Sequence, residues 1–199
     1  MVRRIFALAI CLGLSGCVST QFTLVEVGSV QVEGMSVSTQ DAGWNKAPQI
    51  MTGYLRDDSE LWTRDGILLD RLFIIPSVDN GGALFESSSK ELVFPTFKGD
   101  MLPNEIVELV EASFAKLLGN DTLVESSGLR PYRLDDQRAV MFELTTTSSE
   151  QPRRKGRSLA FVKDQSLYLV VFLATDIHYF EKHWAEAEAL MQSVKVTSS

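Results

Sequence analysis

The amino-acid sequence predicts an α+β domain, built mainly on an antiparallel sheet that amphipathic helices flank. Strand-like segments outnumber helical ones along the chain, and turn signals between them favour hairpins. Strands and helices also do not alternate regularly, as they would in a fold with a parallel sheet. Together these observations favour an antiparallel sheet whose faces are covered by helices.

The first two strand signals lie in the N-terminal half. Residues 29–39 alternate apolar and polar side chains with one interruption at Gly34, which predicts a strand that carries a bulge. Further on, Asp65-Gly66 separates two apolar runs. Because glycine takes positive φ without a Cβ clash, this pair predicts a hairpin turn.

The remaining strands are predicted in the C-terminal half. Residues 138–147 place their apolar side chains on one face and form one strand. A hairpin at 163–165 is expected to join residues 158–162 to residues 167–174. The last of these segments is apolar at nearly every position, which is typical of a central strand covered on both faces.

Two amphipathic helices are predicted. One runs from Pro103 to a stop at Gly119, because proline suits the first helical turn and glycine suits the residue after the last turn. The other spans about Ile177–Val194, and Thr175 or Asp176 is expected to cap its start. Their apolar stripes need a sheet face to cover.

A long connection, Pro76 to Leu102, precedes the first helix. Connections of this length are usually functional or mobile, and this one carries Phe85, Phe94 and Phe97. These aromatic side chains either line a ligand pocket, or form a patch for a partner, or fold back as a lid over the core. The sequence leaves these alternatives open.

The chain begins with the pattern of a secretory signal peptide, residues 1–16. Arg3 and Arg4 precede an apolar run that ends in Leu14-Ser15-Gly16-Cys17. The run is too short to span a hydrocarbon core about 30 Å thick, which takes about 20 residues. It resembles the lipobox of bacterial lipoproteins, and the resemblance implies a diacylglycerol on the sulfur of Cys17 and removal of the signal peptide.

The lipobox, the brief polar stretch after it and the length of the remaining chain divide the sequence, and the resemblance also implies a location. Residues 17–25 become the lipidated cysteine and a short tether, and residues 26–199 form a single α+β domain. The residue after the cysteine is Val18 rather than aspartate, which in lipoproteins of enteric-type bacteria implies the outer membrane. We expect the protein at the periplasmic face of that membrane, held by its acyl chains.

Composition argues against several classes of function. The chain has 19 basic and 26 acidic residues, and loss of Arg3 and Arg4 with the signal peptide leaves 17 against 26, a net charge of −9. Such a surface disfavours nucleic acid, because binding phosphates requires basic side chains. Cys11 lies in the signal peptide and Cys17 is the lipid site, so disulfides, thiol chemistry and cysteine metal sites are not expected.

Residues 158–194 combine a long strand, a turn, a doubly apolar strand and a terminal amphipathic helix. This layout resembles the PsbP-like α/β/α sandwich, and the resemblance implies a role in binding or assembly. Four shorter segments are similar to a group of proteobacterial lipoproteins without an established activity: residues 62–66, 94–97, 101–109 and 178–180. Because a shared fold does not fix a function, neither resemblance supplies a reaction.

Residues that often carry catalysis are present without a catalytic pattern. His178 and His183 are five residues apart, whereas helical histidine pairs that chelate a metal use a spacing of four. Asp176 and Glu181 beside them do not complete a metal site, and the serines lack a G-x-S-x-G motif. We therefore expect neither an enzyme nor a bound cofactor or metal.

One basic run stands out in this acidic chain: Arg153, Arg154, Lys155 and Arg157. We expect it at the tip of a hairpin. There it either contacts anionic lipid headgroups or an acidic partner, or simply forms a solvated turn.

The sequence thus predicts a non-catalytic interaction or assembly module of the bacterial envelope, with a partner protein as its ligand. Two alternatives are a binding protein for a small apolar or lipid-like molecule, held between the sheet and the Pro76–Leu102 connection, and a hydrolase. An apolar cavity beside that connection favours the small ligand, whereas a filled core favours the partner protein.

Overall fold

A computed structural model describes residues 20–87, 89, 91–135 and 137–196. The predicted signal peptide, residues 1–16, and the predicted lipid site at Cys17 lie outside the described residues. The elements in chain order are β1 (Thr23–Leu24), β2 (Gly28–Val32), β3 (Met35–Thr39), β4 (Asn45–Lys46), a 3-10 turn (Gln49–Met51), β5 (Glu60–Thr63), β6 (Asp70–Val78), α1 (Pro103–Leu118), β7 (Thr122–Leu134), β8 (Gln137–Ser148), β9 (Arg154–Lys163), β10 (Ser166–Thr175), α2 (Tyr179–Gln192) and β11 (Lys195–Val196).

The larger sheet has eight strands within the described residues, in the order β1-β4-β5-β6-β10-β9-β8-β7. Every neighbouring pair is antiparallel. β10 lies inside the sheet, and its residues 167–175 are all buried, because other elements cover both faces. The predicted antiparallel sheet and its central strand are confirmed.

The two faces of this sheet carry separate cores, because alternate side chains of a strand point to opposite faces. Phe172 of β10 lies in the core under α2, whereas Val171 lies in the core under α1. A smaller sheet, in the order β11-β3-β2, joins α2 on its face. The connection 79–102 joins α1 on the other face. Each face therefore has one helix and one additional layer.

The segment 29–39 is a hairpin rather than a bulged strand. β2 and β3 pair in register from Gly28 with Thr39 to Val32 with Met35. The turn between them consists of Glu33 and Gly34, both at positive φ (31° and 76°), which is the conformation of a tight hairpin turn. The interruption at Gly34 therefore marks the turn, and the prediction of a bulge was wrong.

Both other predicted hairpins are confirmed. Asp164 and Gln165 form a two-residue turn at positive φ (51° and 64°) between β9 and β10. β5 and β6 pair in register, with Leu61 opposite Phe73. Their connection is longer than a tight turn, because it includes residues 64–69.

The helices begin and end close to the predicted residues. Gly119 follows the last turn of α1 at φ 87°, and the Glu105 carboxylate accepts the Leu102 N–H at 2.6 Å. α2 starts later than predicted, and the residue before it, His178, makes no side-chain cap. Neither Thr175 nor Asp176 caps α2, because Thr175 is the last residue of β10 and Asp176 pairs with Arg153 instead.

The folded part begins earlier than residue 26. Thr23 and Leu24 pair with β4, and Val25 is buried in the core under α2. The folded domain therefore includes the last residues of the segment 17–25, which the sequence analysis assigned to a tether. Among the helices that the structure describes, none has the length and apolarity needed to cross a membrane.

Candidate interaction surface

Connections from three parts of the chain meet at one end of the large sheet. They are residues 64–69 between β5 and β6, residues 149–153 between β8 and β9, and residues 176–178 between β10 and α2. The Thr175 N–H donates to the Leu69 carbonyl at 2.9 Å, and the Asp176 N–H donates to the Arg153 carbonyl at 3.0 Å. We call these connections together the loop end.

A buried carboxylate holds the 64–69 loop from inside. Asp70 is fully buried at the start of β6. Its Oδ1 atom accepts the Arg64 N–H at 2.6 Å and the Thr63 hydroxyl at 3.0 Å, and its Oδ2 atom accepts the Asp65 N–H at 2.8 Å. Because three donors satisfy it, this carboxylate tolerates burial and fixes the path of the loop.

Two arginines hold the same loop through its carbonyl groups. Arg71 Nε donates to the Ile67 carbonyl at 2.6 Å, and Arg154 Nη2 donates to the Leu68 carbonyl at 2.6 Å. Arg154 is only 4% exposed. Its burial, with a smaller contribution from the Arg71 charge, lowers the pKa of Arg154 to about 10. A desolvated guanidinium therefore serves as a fixed donor beneath the loop.

Helix α2 and the β3–β4 connection hold the loop from its sides. Asp65 Oδ2 lies 2.6 Å from Lys182 Nζ and 2.5 Å from His183 Nε2. The Lys182 ammonium, and then the His183 imidazole, lower the pKa of the Asp65 carboxyl. Arg64 reaches the other way and binds both carboxylate oxygens of Asp41 at 3.0 Å. The side chains of Arg64 and Asp65, the first two residues of the loop, are therefore both held by neighbouring elements.

Asp65, Asp70 and His183 bring three potential metal ligands within 4.8 Å of one another. Lys182, however, contacts the same oxygen of Asp65 as His183 does, and both oxygens of Asp70 already accept backbone or hydroxyl donors. An ammonium group next to the ligands opposes a cation. The cluster is best described as a hydrogen-bonded network that ties the loop to α2, while His178 lies outside it and is exposed.

The fixed loops present apolar side chains to solvent. Leu68 is 71% exposed, and Ile177 is 90% exposed. The backbones next to them are joined through the Thr175–Leu69 hydrogen bond, and Arg154 fixes the carbonyl of Leu68 itself. These two residues therefore expose apolar side chains from connections that hydrogen bonds tie to the sheet and to each other.

The basic run does not lie at a hairpin tip as predicted. Only Arg153 belongs to the β8–β9 connection, whereas Arg154, Lys155 and Arg157 are in β9. Successive side chains in a strand point to opposite faces. The Arg154 side chain is on the face that the 64–69 loop covers, and it is buried beneath that loop. Its burial excludes the headgroup contact that the sequence suggested for it.

The other three cations of this run have partners within the domain. Arg153 pairs with Asp176 at 2.8 Å. Lys155 lies over the ring of Phe180 at 4.6 Å, and Arg157 lies over the ring of Trp184 at 4.7 Å. Lys155 and Arg157 also pair with Glu181 and Glu143, at 3.6 and 3.2 Å. The run therefore joins the sheet to α2 and is not a free basic patch.

The three phenylalanines of the long connection are buried, so the lid alternative is the one that the structure adopts. Phe85, Phe94 and Phe97 belong to the core under α1. The ring of Phe85 meets the rings of Phe73 and Phe114 edge to face at 6.2 and 5.1 Å. These aromatic contacts fill the space between the connection and the sheet.

A cleft of about 360 Å³ borders the connection, and it is lined by Arg56, Asp57, Asp58, Gly82, Ala83, Phe85 and Glu86. Four of its seven lining residues are charged, whereas sites for small apolar ligands are lined mainly by apolar side chains. The predicted start of the connection was also early, because β6 continues through Pro76 to Val78.

Two of the four segments that are similar to proteobacterial lipoproteins lie at the loop end, next to the basic run. Residues 62–66 supply its fixed loop, and residues 178–180 lead from it into α2. Leu68 and Ile177 were not predicted, because no local pattern shows that an apolar side chain stays exposed. The pairing of Asp65 with His183 was also missed, since 118 positions separate them in the sequence.

The fold is that of a known structural class. No family model and no curated protein matches the sequence. Among solved structures, the chain is similar to the solution structure of cyanobacterial PsbP (CyanoP) from Synechocystis sp. PCC 6803, with a TM-score of 0.54 and 10% identity, over 95% of this chain and 98% of that chain. At this identity the likeness concerns the fold alone, and it confirms the predicted α+β, PsbP-like architecture.

Proposed function

We propose that this protein is a lipid-anchored component of the bacterial envelope whose loop end binds a partner protein, without catalysing a reaction. The observation that carries the proposal is the exposure of Leu68 and Ile177 at the loop end, where Arg154 binds the Leu68 carbonyl and a backbone hydrogen bond joins Thr175 to Leu69. The buried phenylalanines of the long connection support a protein partner over a small apolar ligand.

Rigid presentation makes an exposed apolar side chain useful for recognition. Binding energy at protein interfaces is concentrated in a few central anchors that a rim of other contacts shields from water. A loop that is already ordered loses little further entropy when it binds. Here the Arg153–Asp176 and Lys182–Asp65 pairs flank the two anchors. The complementary partner surface offers an apolar pocket with charged groups around it.

The proposed lipid attachment rests on the lipobox, residues 14–17. Cys17 is the lipid attachment site, and the residue after it, Val18, favours the outer membrane and its periplasmic face. Mass spectrometry of the protein extracted from its own membranes tests this directly. The expected N-terminal peptide begins at Cys17 and carries diacylglycerol, whereas an unprocessed N-terminus would contradict the anchor.

Site-specific photocrosslinking tests the partner surface. A benzophenone amino acid replaces Ile177 or Leu68 in the full chain, and Leu123 serves as the control because it is 59% exposed, close to the exposure of Leu68, on the edge strand β7. After irradiation of intact cells, positions 177 and 68 are expected to give one shared crosslinked species that position 123 does not give. Equal products from all three positions would contradict a specific surface at the loop end.

A further inference from the structure

A second group of exposed apolar side chains lies at the edge of the large sheet where the described chain begins. Phe22, Leu24 and Val27 are 41%, 61% and 57% exposed. Val25 between them is buried, and its N–H donates to the Trp44 carbonyl at 2.8 Å. The segment is therefore attached to the domain while most of its apolar side chains face water.

An open groove continues this apolar surface inward. The groove has a volume of about 390 Å³, and Leu24, Val27, Val30 and Trp62 line it together with polar and charged neighbours that include Glu26. Lys46 and Glu60, which also line the groove, pair at 2.5 Å, and Glu60 accepts the indole N–H of Trp62 at 2.6 Å. The basic group that lines the groove is thus already neutralised.

The 3-10 turn adds two more exposed apolar residues near this edge, Ile50 and Met51. β1 and β4 are antiparallel neighbours, with Thr23 opposite Lys46. The chain before β1 and the chain after β4 therefore leave the sheet at the same end, so Phe22 and the 3-10 turn lie on one side of it. We call Phe22, Leu24, Val27, Ile50 and Met51 the β1 edge.

The proposed lipid lies close to this edge along the chain. Five residue steps separate Cys17 from Phe22, and an extended chain covers at most about 3.6 Å per step, or roughly 18 Å. A diacylglycerol on Cys17 enters the bilayer at its surface, so the tether holds the β1 edge near the headgroups. Such a short tether gives the edge a high effective concentration at the membrane.

We propose that the β1 edge docks on the surface of the bilayer that the Cys17 lipid enters, with its apolar side chains inserted among the headgroups. The proposal rests on the lipid anchor of the proposed function and adds the orientation of the domain. The apolar side chains of the edge, rather than its charge, favour this occupant, because the processed chain is acidic and Lys46 in the groove is already paired with Glu60. Apolar insertion needs no basic surface.

Fluorescence of a single labelled position tests the docking. The processed chain contains no cysteine besides Cys17, so one introduced cysteine gives a unique site for the dye NBD in the native lipidated protein. Phe22→Cys and Val27→Cys report on the β1 edge, and Ile177→Cys and Leu123→Cys are the exposed controls. The proteins are placed in vesicles of phosphatidylethanolamine and phosphatidylglycerol, with and without lipids that carry a nitroxide quencher.

Positions 22 and 27 are expected to shift their emission to shorter wavelength and to lose intensity when the quencher lipid is present, while positions 177 and 123 stay unchanged. Water-like emission at 22 and 27, in protein whose Cys17 lipid is verified by mass, overturns the docking and leaves the anchor intact. A protein without the lipid overturns both the docking and the lipid anchor. A spectral shift that appears without vesicles and grows with protein concentration shows a second copy at this edge, and it also overturns the docking.

Discussion

The loop end and the β1 edge both expose apolar side chains, but the domain holds them in different ways. At the loop end, Asp70, Arg71 and Arg154 bind the backbone of the 64–69 loop from below. At the β1 edge, β1 itself has two residues and pairs with β4 alone. A preorganised surface binds a specific protein partner more tightly, because less entropy is lost on binding. Binding to a fluid bilayer requires mainly apolar area. The firmly held loop end therefore suits the proposed protein partner, and the weakly held β1 edge suits the proposed bilayer surface.

The largest expected effect comes from Asp70→Ala, which removes the group that holds the loop end from inside. The N–H groups of Arg64 and Asp65 and the Thr63 hydroxyl then lose their acceptor. Leaving such donors unsatisfied is expected to lower the free energy of unfolding by about 4 kcal/mol in urea denaturation. The matched control is Asp100→Ala at an exposed aspartate, expected to change it by at most about 0.5 kcal/mol. Similar losses in both variants would mean that the loop does not depend on this carboxylate.

The next effect separates two neighbouring arginines. Arg154→Glu places a carboxylate in a buried position facing the Leu68 carbonyl, and we expect a loss of about 3 kcal/mol in the free energy of unfolding. Arg153→Glu breaks only the exposed pair with Asp176 and is expected to cost less than about 1 kcal/mol. Urea denaturation of both variants measures the contrast. A charge reversal at Arg154 therefore reports on folding, and only Arg153 reports on surface charge.

A smaller effect depends on pH. Lys182, and then His183, lower the pKa of Asp65 in the folded protein, so the ionised carboxylate stabilises the fold above its unfolded pKa of about 3.9. That stabilisation is lost as pH falls through the lower folded pKa. Asp65→Asn is expected to be less stable than the wild type by at most about 1 kcal/mol at pH 7, because the pair is partly exposed.

The stability gap between Asp65→Asn and the wild type is expected to shrink as the pH falls below about 4, and to close below the lowered pKa that Asp65 has in the folded protein. Urea denaturation at several pH values measures it, and Glu125→Gln, at an exposed glutamate of β7, controls for a general loss of charge. A gap that stays constant down to pH 2 would exclude ionisation of Asp65 as its cause.

The smallest change in stability is expected for Leu68→Ser and Ile177→Ser, because these side chains are exposed. The free energy of unfolding should change by at most about 0.5 kcal/mol, while the partner no longer co-purifies from membranes. Leu123→Ser is the matched control, and it is expected to retain the partner. Unchanged partner yield with Ile177→Ser would place the binding surface elsewhere.

The prediction of secondary structure succeeded where a signal is local. The two helices follow from their periodicity and from Pro103 and Gly119, and the β9–β10 hairpin follows from the turn at Asp164 and Gln165. The bulge predicted at Gly34 was wrong, because an interrupted alternation fits a bulge and a tight turn equally well until the pairing partner is known. The PsbP-like layout read from residues 158–194 is confirmed at the level of fold.

The candidate surface depended on contacts that no local pattern contains. Arg153 and Arg154 are neighbouring residues of the same type. Arg153 lies in the β8–β9 connection, whereas Arg154 is buried under a loop that lies more than 80 positions earlier in the chain. Asp65 meets His183 only because the β5–β6 connection and α2 lie at the same end of the sheet. Such partners are chosen by the order of strands in the sheet.

The sequence by itself determined the α+β class, both helices, the central strand and the pattern of a lipid attachment site at Cys17, because each depends on residue types at short spacing. The tertiary structure alone decided that the basic run is consumed in internal contacts, that the phenylalanines of the long connection fill a core, and that Leu68 and Ile177 face solvent. The physical reason is that burial is a property of what packs on a residue, and antiparallel pairing brings those neighbours from distant parts of the chain.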